Sequence, residues 1–247
     1  MRRLAMNCKV AIDVRVSRRK YTAKEIEKSK VAALLDAIKT YNRKSGLHMQ
    51  LVLKTGGSAF DGFKKSYGFF VGVKNYIALI GKRGDENRLE KEGWYGEKLV
   101  LEATDMGLST CWVGTSYDKS SCNCNIAADE VLDCVIALGY SDKKHSLKER
   151  LMENMMKSRS RKTIEQLTDH EAELPDWFVR GMEAVQKAPT ARNLQPFVFE
   201  WKNNAASVRA CKDEERVMID VGIAKLHFEI GAGGGSWTWG NGARYTR

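Results

Sequence analysis

The sequence predicts an α+β fold, and three observations carry that reading. Segments with helical spacing alternate with short apolar runs of strand length. The longest of those runs, Ile77 to Ile80 and Cys134 to Leu138, fall far short of the roughly 20 residues that cross a bilayer. Finally, an early and a late stretch each place a strand-like run after a helix, as if one helix–strand unit occurred twice.

The elements follow in order. Thr22 and Glu25 have the spacing of a capping box, and Ile26, Val31, Leu34, Leu35, Ile38 and Tyr41 continue at near-helical intervals to Asn42. Gly46 breaks the helix, and Leu47 to Leu53 reads as a strand. A glycine-rich loop from Gly56 to Gly68 leads to a second strand at Asn75 to Ile80. The pattern is helical again from Asn87 through Leu99, Ala103 and Met106, with Gly107 placed to cap it. Ser109 to Val113 and Leu132 to Leu138 are strands, and a charged stretch, Lys143 to Arg161, leads to a second segment. There Trp177 to Lys187 is helical, Phe197 to Trp201 is a strand, and Ser207 to Cys211 reads as another short one. Val217 to Ile230 stays open: Val217, Ile219, Val221 and Ile223 alternate like a strand, whereas the length favours a helix. The tail from Gly233 to Arg247 is rich in Gly and Trp, shows no period, and is expected to be irregular.

With 43% hydrophobic and 29% charged residues, the 247-residue chain has an ordinary globular composition and enough length for a well-buried core. Met1-Arg2-Arg3 begins basic but no sustained apolar stretch follows, so a cytoplasmic protein without a signal peptide or membrane partner is expected. Cys8, Cys111, Cys122, Cys124, Cys134 and Cys211 do not form a disulfide framework pattern. Cys122-Asn123-Cys124 has a single residue between thiols, tighter than zinc sites use, and His48, His145, His170 and His227 have no ligand spacing. No metal is expected. A net charge of +10 raises nucleic acid as a partner, but the basic residues are dispersed and carry no recognition motif. An anionic cofactor accounts better for two local clusters.

One cluster is the loop Pro189-Thr190-Ala191-Arg192-Asn193-Leu194-Gln195-Pro196. The chain has three prolines, and two of them bracket this stretch. Pro189 pushes Ala188 out of the helical region, and Pro196 opens a strand. The result is a stiff, polar helix-to-strand connection suited to a planar, polar ligand. The other cluster is Arg15-Val16-Ser17-Arg18-Arg19-Lys20-Tyr21. In extended backbone Arg15, Ser17 and Arg19 share one side. Two guanidinium forks and a hydroxyl there make a phosphate clamp, because bidentate charge-assisted bonds match phosphate oxygens.

Together these motifs resemble the FMN-dependent nitroreductase family. The Arg-x-Ser-x-Arg-x-aromatic pattern is similar to its N-terminal phosphate signature, and the 189–196 loop to its Pro-Ser-x-x-Asn-x-Gln-Pro loop. Gly96 to Gly114 resembles the family's helix-Gly-Leu-Gly-Thr-strand element, Val135 to Tyr140 a later strand, and Lys157 to Lys162 its basic phosphate contact. The order departs from ordinary members. Where the loop should follow the first helix, this chain reads Lys44-Ser45-Gly46-Leu47-His48-Met49-Gln50, and the intact loop lies late. That arrangement resembles a subfamily with tandem half-repeats in one chain.

The resemblance implies a nitroreductase-like fold: a mixed, mainly antiparallel sheet flanked by helices, with an internal pseudo-duplication. It implies one domain over 1–247, with approximate halves at 10–145 and 150–232 and an irregular tail at 233–247. Arg15, Ser17 and Arg19 would hold the FMN phosphate and ribityl chain, with Arg159 and Arg161 as further phosphate contacts. Pro189, Thr190, Ala191 and Asn193 would line the isoalloxazine, and the backbone of Val113 and Gly114 would lie near the reactive flavin nitrogen. Gly114 and Thr115 replace the Glu-Gly of some members. No catalytic side chain is implied, since the flavin carries the chemistry. NAD(P)H would be the co-substrate and a nitroaromatic or quinone the small-molecule oxidant, in ping-pong turnover. A flavin-binding sensor or storage protein is the alternative. The duplicated chain would act as a monomer mimicking a dimer, with a homodimer as the open alternative.

Overall fold

The computed structural model describes residues 8–61, 69–142, 149, 160–212 and 214–247. Its elements are helix α1 (Cys8–Val14), α2 (Lys28–Ser45), β1 (Gln50–Val52), α3 (Gly57–Phe60), β2 (Asn75–Lys82), α4 (Arg88–Asp105), β3 (Ser109–Val113) and β4 (Glu130–Gly139). They continue with α5 (Ile164–Leu167), β5 (Thr168–His170), α6 (Asp176–Val185), β6 (Phe197–Lys202), β7 (Ala205–Ala210), α7 (Val217–Ala232), β8 (Ser236–Trp237) and β9 (Ala243–Thr246). Among the described residues every strand pair is antiparallel except β5 with β6.

The strands form two sheets, ordered β1-β2-β4-β3 and β5-β6-β7-β9-β8. Setting aside β5, the same plan occurs in both. Two strands, a long helix and two more strands follow one another, and the fourth strand inserts between the second and third. The helix is α4 in the first unit and α7 in the second. The first sheet is buried on both faces. Ile77, Leu79, Ile136 and Leu138 meet α2 and α4 on one side, while Tyr76, Ala78, Val135 and Ala137 pack with Phe60, Phe70 and Tyr117 on the other. This two-sided burial is why β2 and β4 read as unbroken apolar runs instead of alternating ones.

Three sequence expectations change. Thr22 and Glu25 do not cap a helix: α2 begins at Lys28, and Glu27 stands at its N-cap without a side-chain bond to the helix backbone. Tyr140 organises this entry, since its carbonyl accepts the Thr22 N–H (2.8 Å) and its hydroxyl bonds Lys30 Nζ (2.6 Å) and Glu27. Second, 217–230 is helical, and α7 has no polar face because its neighbours surround it; even Asp220, Lys225 and His227 are buried. Third, the tail is structured. β8 and β9 close the second sheet with Trp237 opposite Tyr245, and both rings join Trp177, Phe178, Phe199 and Phe228 in the second core. Its strands are too short for a period to register, and the left-handed backbone of Gly233, Gly240 and Gly242 provides the turns.

The two units meet where α4 crosses α7. A Cβ on Gly93 would lie 2.1 Å from the Ile219 carbonyl oxygen, and one on Gly222 would lie 2.0 Å from that of Glu90. The contact is reciprocal: each glycine meets the residue three positions before the other. Gly222→Ala therefore forces a methyl into a backbone carbonyl and is expected to cost about 1–3 kcal/mol or more. Trp237→Ala is expected to cost about 3–5 kcal/mol as a core truncation, against under ~0.5 kcal/mol for a residue of an irregular tail. Urea denaturation followed by circular dichroism measures both.

Candidate functional site

The segment 15–21 is extended and lies against β3. Ser17 bridges Thr110 in parallel, the Arg18 N–H donates to the Thr110 carbonyl (3.0 Å), and Arg19 and Tyr21 pair with Val71. Alternate side chains consequently part company. Arg18 is buried and turns to Glu149, whose Oε1 accepts from Arg18 Nε (3.1 Å) and from the N–H groups of Arg19 (3.0 Å) and Lys20 (3.2 Å). Arg15 Nη1 lies 3.5 Å from Ser17 Oγ, Ser17 bonds the Cys111 thiol of β3, and the charges of Arg15 and Arg19 both act on that thiol. Burial pushes the Cys111 thiol up, while Arg19, Arg15 and a bond from Ser17 pull it down. Of the predicted clamp, Arg15 and Ser17 are in contact, and Arg19 acts on the same thiol through its charge.

Arg15 reaches the helix crossing. Its side chain is 10% exposed, and its Nε lies 3.8 Å from Glu97 Oε1 on α4, too long for a hydrogen bond. Among the described residues that Nε is a buried donor with no hydrogen-bond partner. Glu97, fully buried, also accepts from Trp112 Nε1 of β3 (2.8 Å) and faces His227 Nε2 of α7 (3.0 Å).

The 189–196 loop is held from two sides. Its backbone is left-handed at three non-glycine residues, Arg192 (φ 52°), Asn193 (φ 57°) and Gln195 (φ 47°). Such conformations cost of order 1–3 kcal/mol each and persist only where surroundings impose them. Here segment 160–162 does so. Asn193 Nδ2 donates to the Ser160 carbonyl (2.6 Å), the Lys162 N–H to Gln195 Oε1 (3.1 Å), and Lys162 Nζ to the Gln195 carbonyl (2.8 Å). Thr190 Oγ1 accepts the Gln195 N–H (3.1 Å). The side chains of Thr190 and Asn193 thus shape the loop. Arg161 is exposed beside it, and Arg159 lies outside the described residues.

The start of α7 ties this loop to β3. Asp220 accepts the Ala191 N–H on both oxygens (3.1 and 3.2 Å), and Arg216 Nη1 donates to the Gly114 carbonyl (3.3 Å). Val113 is buried at the end of β3 and Pro189 is half-buried where the loop leaves α6. The predicted residues therefore form two groups, a clamp on the first unit and a loop on the second, joined through β3 and α7. A cavity of about 690 Å³ lies elsewhere, between α4, α7 and the tail, lined by Trp94, Tyr95, Lys98, Glu229, Trp237 and Trp239; it contains none of them.

Sequence reasoning missed Glu97, Arg216, Asp220 and His227 as parts of the site. The signal was Asp220, Lys225, His227 and Glu229 interrupting an otherwise apolar helix, since ionisable residues in such a setting need specific partners. Burial lifts the Asp220 carboxyl from the usual 3.8 to about 7, with the Ala191 bond opposing. The folded state then binds a proton that the unfolded chain has released, so this group's contribution falls as pH rises between those values. Asp220→Asn keeps an acceptor for Ala191. It is expected to match wild type near pH 3.8, to exceed its stability increasingly as pH rises, and to hold its full advantage at pH 8, as read from urea midpoints across that range.

Known proteins bear on this arrangement. A family profile described as "Putative TM nitroreductase" matches residues 7–232. A protein described as a putative nitroreductase from Thermotoga maritima has the same fold, with TM-score 0.65 and 20% identity over 99% of this chain and 94% of that one. A Bacteroides fragilis nitroreductase with bound FMN aligns at TM-score 0.42 and 17% identity over 58% of this chain and 92% of its own. No curated protein matches the chain. The fold is nitroreductase-like, and the chain belongs to the TM nitroreductase family.

Proposed function

We propose that this protein is an FMN-dependent oxidoreductase that takes hydride from NAD(P)H and delivers it to a small oxidant of the nitroaromatic or quinone class. The observation that carries this reading is the buried Arg15 Nε, which has no hydrogen-bond partner among the described residues, beside Ser17 (3.5 Å from Arg15 Nη1) and on the same extended segment as Arg19. A buried guanidinium donor in that state is matched by an anion such as a flavin phosphate. Bound FMN would supply the hydride-accepting ring.

The chain's own residues then bind and orient. Arg15, Ser17 and Arg19 would hold the phosphate end, with Arg161 and Arg159 as further contacts. Pro189, Thr190, Ala191 and Asn193 form the opposite wall, and the backbone at Val113 and Gly114 lies between. Asp220 and Arg216 keep that wall in register with β3.

The reading includes an internal duplication, with one FMN per chain. Two features support it: the shared strand plan and the reciprocal glycine contact of α4 and α7. The loop after α2 is closed differently from 189–196. Asn42 binds both the N–H and the carbonyl of Met49 (2.9 Å each), so that connection folds back on its own helix. The chain would then act as a monomer equivalent to two subunits.

Cofactor extraction from the purified protein should yield FMN near one per chain; two per chain would overturn the duplication reading. NADH or NADPH oxidation should require a nitroaromatic or quinone, and bound flavin without turnover would point instead to a sensor or store. Arg19→Ala should raise the FMN Kd by roughly tenfold or more through the lost charged bonds. Asn193→Ala should also weaken FMN by freeing the loop from Ser160. Fluorescence titration reads both, and wild-type affinity in the two variants would place the site elsewhere.

A further inference from the structure

We infer that His227, on the second unit, is a positioning residue that keeps Arg15, on the first, charged and available for an anion, acting through Glu97. This rests on the flavin reading above and adds to it a charge relay across the two units.

The argument is a proton inventory. His227 Nδ1 lies 3.0 Å from the Ala184 carbonyl oxygen, which can only accept, so Nδ1 carries a hydrogen. His227 Nε2 lies 3.0 Å from Glu97 Oε1. A hydrogen must sit there too, either as imidazolium against carboxylate or as carboxylic acid against neutral imidazole. In both cases the His227–Glu97 pair has no net charge. Both side chains are fully buried, so water does not screen the arrangement.

The consequence falls on Arg15. A lone buried carboxylate 3.8 Å from its Nε would neutralise the guanidinium and compete with any anionic ligand. With the carboxylate compensated by His227, the positive charge of Arg15 stays uncancelled. The same oxygen is also held by distance from forming a hydrogen bond to Nε, which has none among the described residues. Trp112 Nε1, 2.8 Å from Glu97 Oε2, fixes the carboxyl plane between the two basic groups. Glu97 thereby orients Arg15 without consuming it.

The charge argument gives opposite signs for two substitutions. His227→Gln leaves a donor for Glu97 but removes the shared proton, so Arg15 faces a bare carboxylate. Glu97→Gln removes the carboxylate while satisfying its neighbours, since its oxygen accepts from Trp112 and its amide donates to His227.

The test titrates the full-length protein, freed of flavin, with FMN and with riboflavin, which lacks the phosphate. His227→Gln should lose roughly tenfold in FMN affinity with riboflavin affinity unchanged. Glu97→Gln should keep or raise the preference for FMN, and the double variant should restore it. The phosphorus resonance of bound FMN should move in His227→Gln and return in the double variant. Equal losses for both flavins, a loss of FMN preference in Glu97→Gln, or no rescue would each overturn the inference while leaving flavin binding standing. If His227→Gln does not fold, Glu97→Gln alone still decides the sign. A wild-type protein that does not prefer FMN to riboflavin would remove the phosphate clamp, and this inference with it.

Discussion

The crossing of α4 and α7 is the constraint on which the rest of the molecule depends. At Gly93 and Gly222 the separation of the helices is set by backbone against backbone, with no side chain between to yield. Two buried pairs of ionisable groups span the same seam. Lys225, fully buried, bonds Glu90 and the carbonyls of Thr238 (3.1 Å) and Gly240 (3.4 Å), and His227 meets Glu97 further along. Desolvating each charge costs several kcal/mol, recovered only by an exact partner. A slip of one residue along the seam would strand all four groups. The pairs are thus better read as fixing register than as adding stability.

That register reaches both walls of the proposed site. Arg216 is the N-cap of α7 and Asp220 lies in its first turn, so the position of Ala191 relative to Gly114 follows from where α7 sits on α4. The tail is bound to the same seam. Trp237 donates to the Lys225 carbonyl (3.2 Å) and Gly240 donates to Glu90 (2.6 Å), so closing the second sheet and locking the helices are one event. A reciprocal helix contact of this kind is what an isologous interface between two subunits looks like, here within one chain.

Much of this was legible in the residues, and the exceptions share a physical origin. The strands around Ile77 and Ile136, helix α4 with its glycine stop, and the clamp spacing of Arg15, Ser17 and Arg19 depend on local pattern, which sequence carries directly. The capping-box spacing of Thr22 and Glu25 is also local, but Tyr140 overrides it from across the fold. Helix α7 was ambiguous because tertiary contact on all sides erases an amphipathic period. The tail escaped notice because aromatic packing, and not strand length, holds it. Glu97 looked like an ordinary helix residue and His227 like a histidine without ligand spacing, because each takes its significance from the other.

The contrast between Arg15 and Arg18 shows how one extended segment can use the same side chain in two ways. Arg18 faces the protein and meets Glu149, a carboxylate that also accepts two backbone N–H groups. Its charge is spent on holding the segment in place. Arg15 faces the opposite side and meets Glu97, a carboxylate already answered by an imidazole and an indole. The alternation of a strand decides which arginine is structural and which is left with charge to offer. A net charge of +10 therefore says little about ligand binding by itself. What matters is whether each carboxylate within reach of an arginine has already been matched by another group.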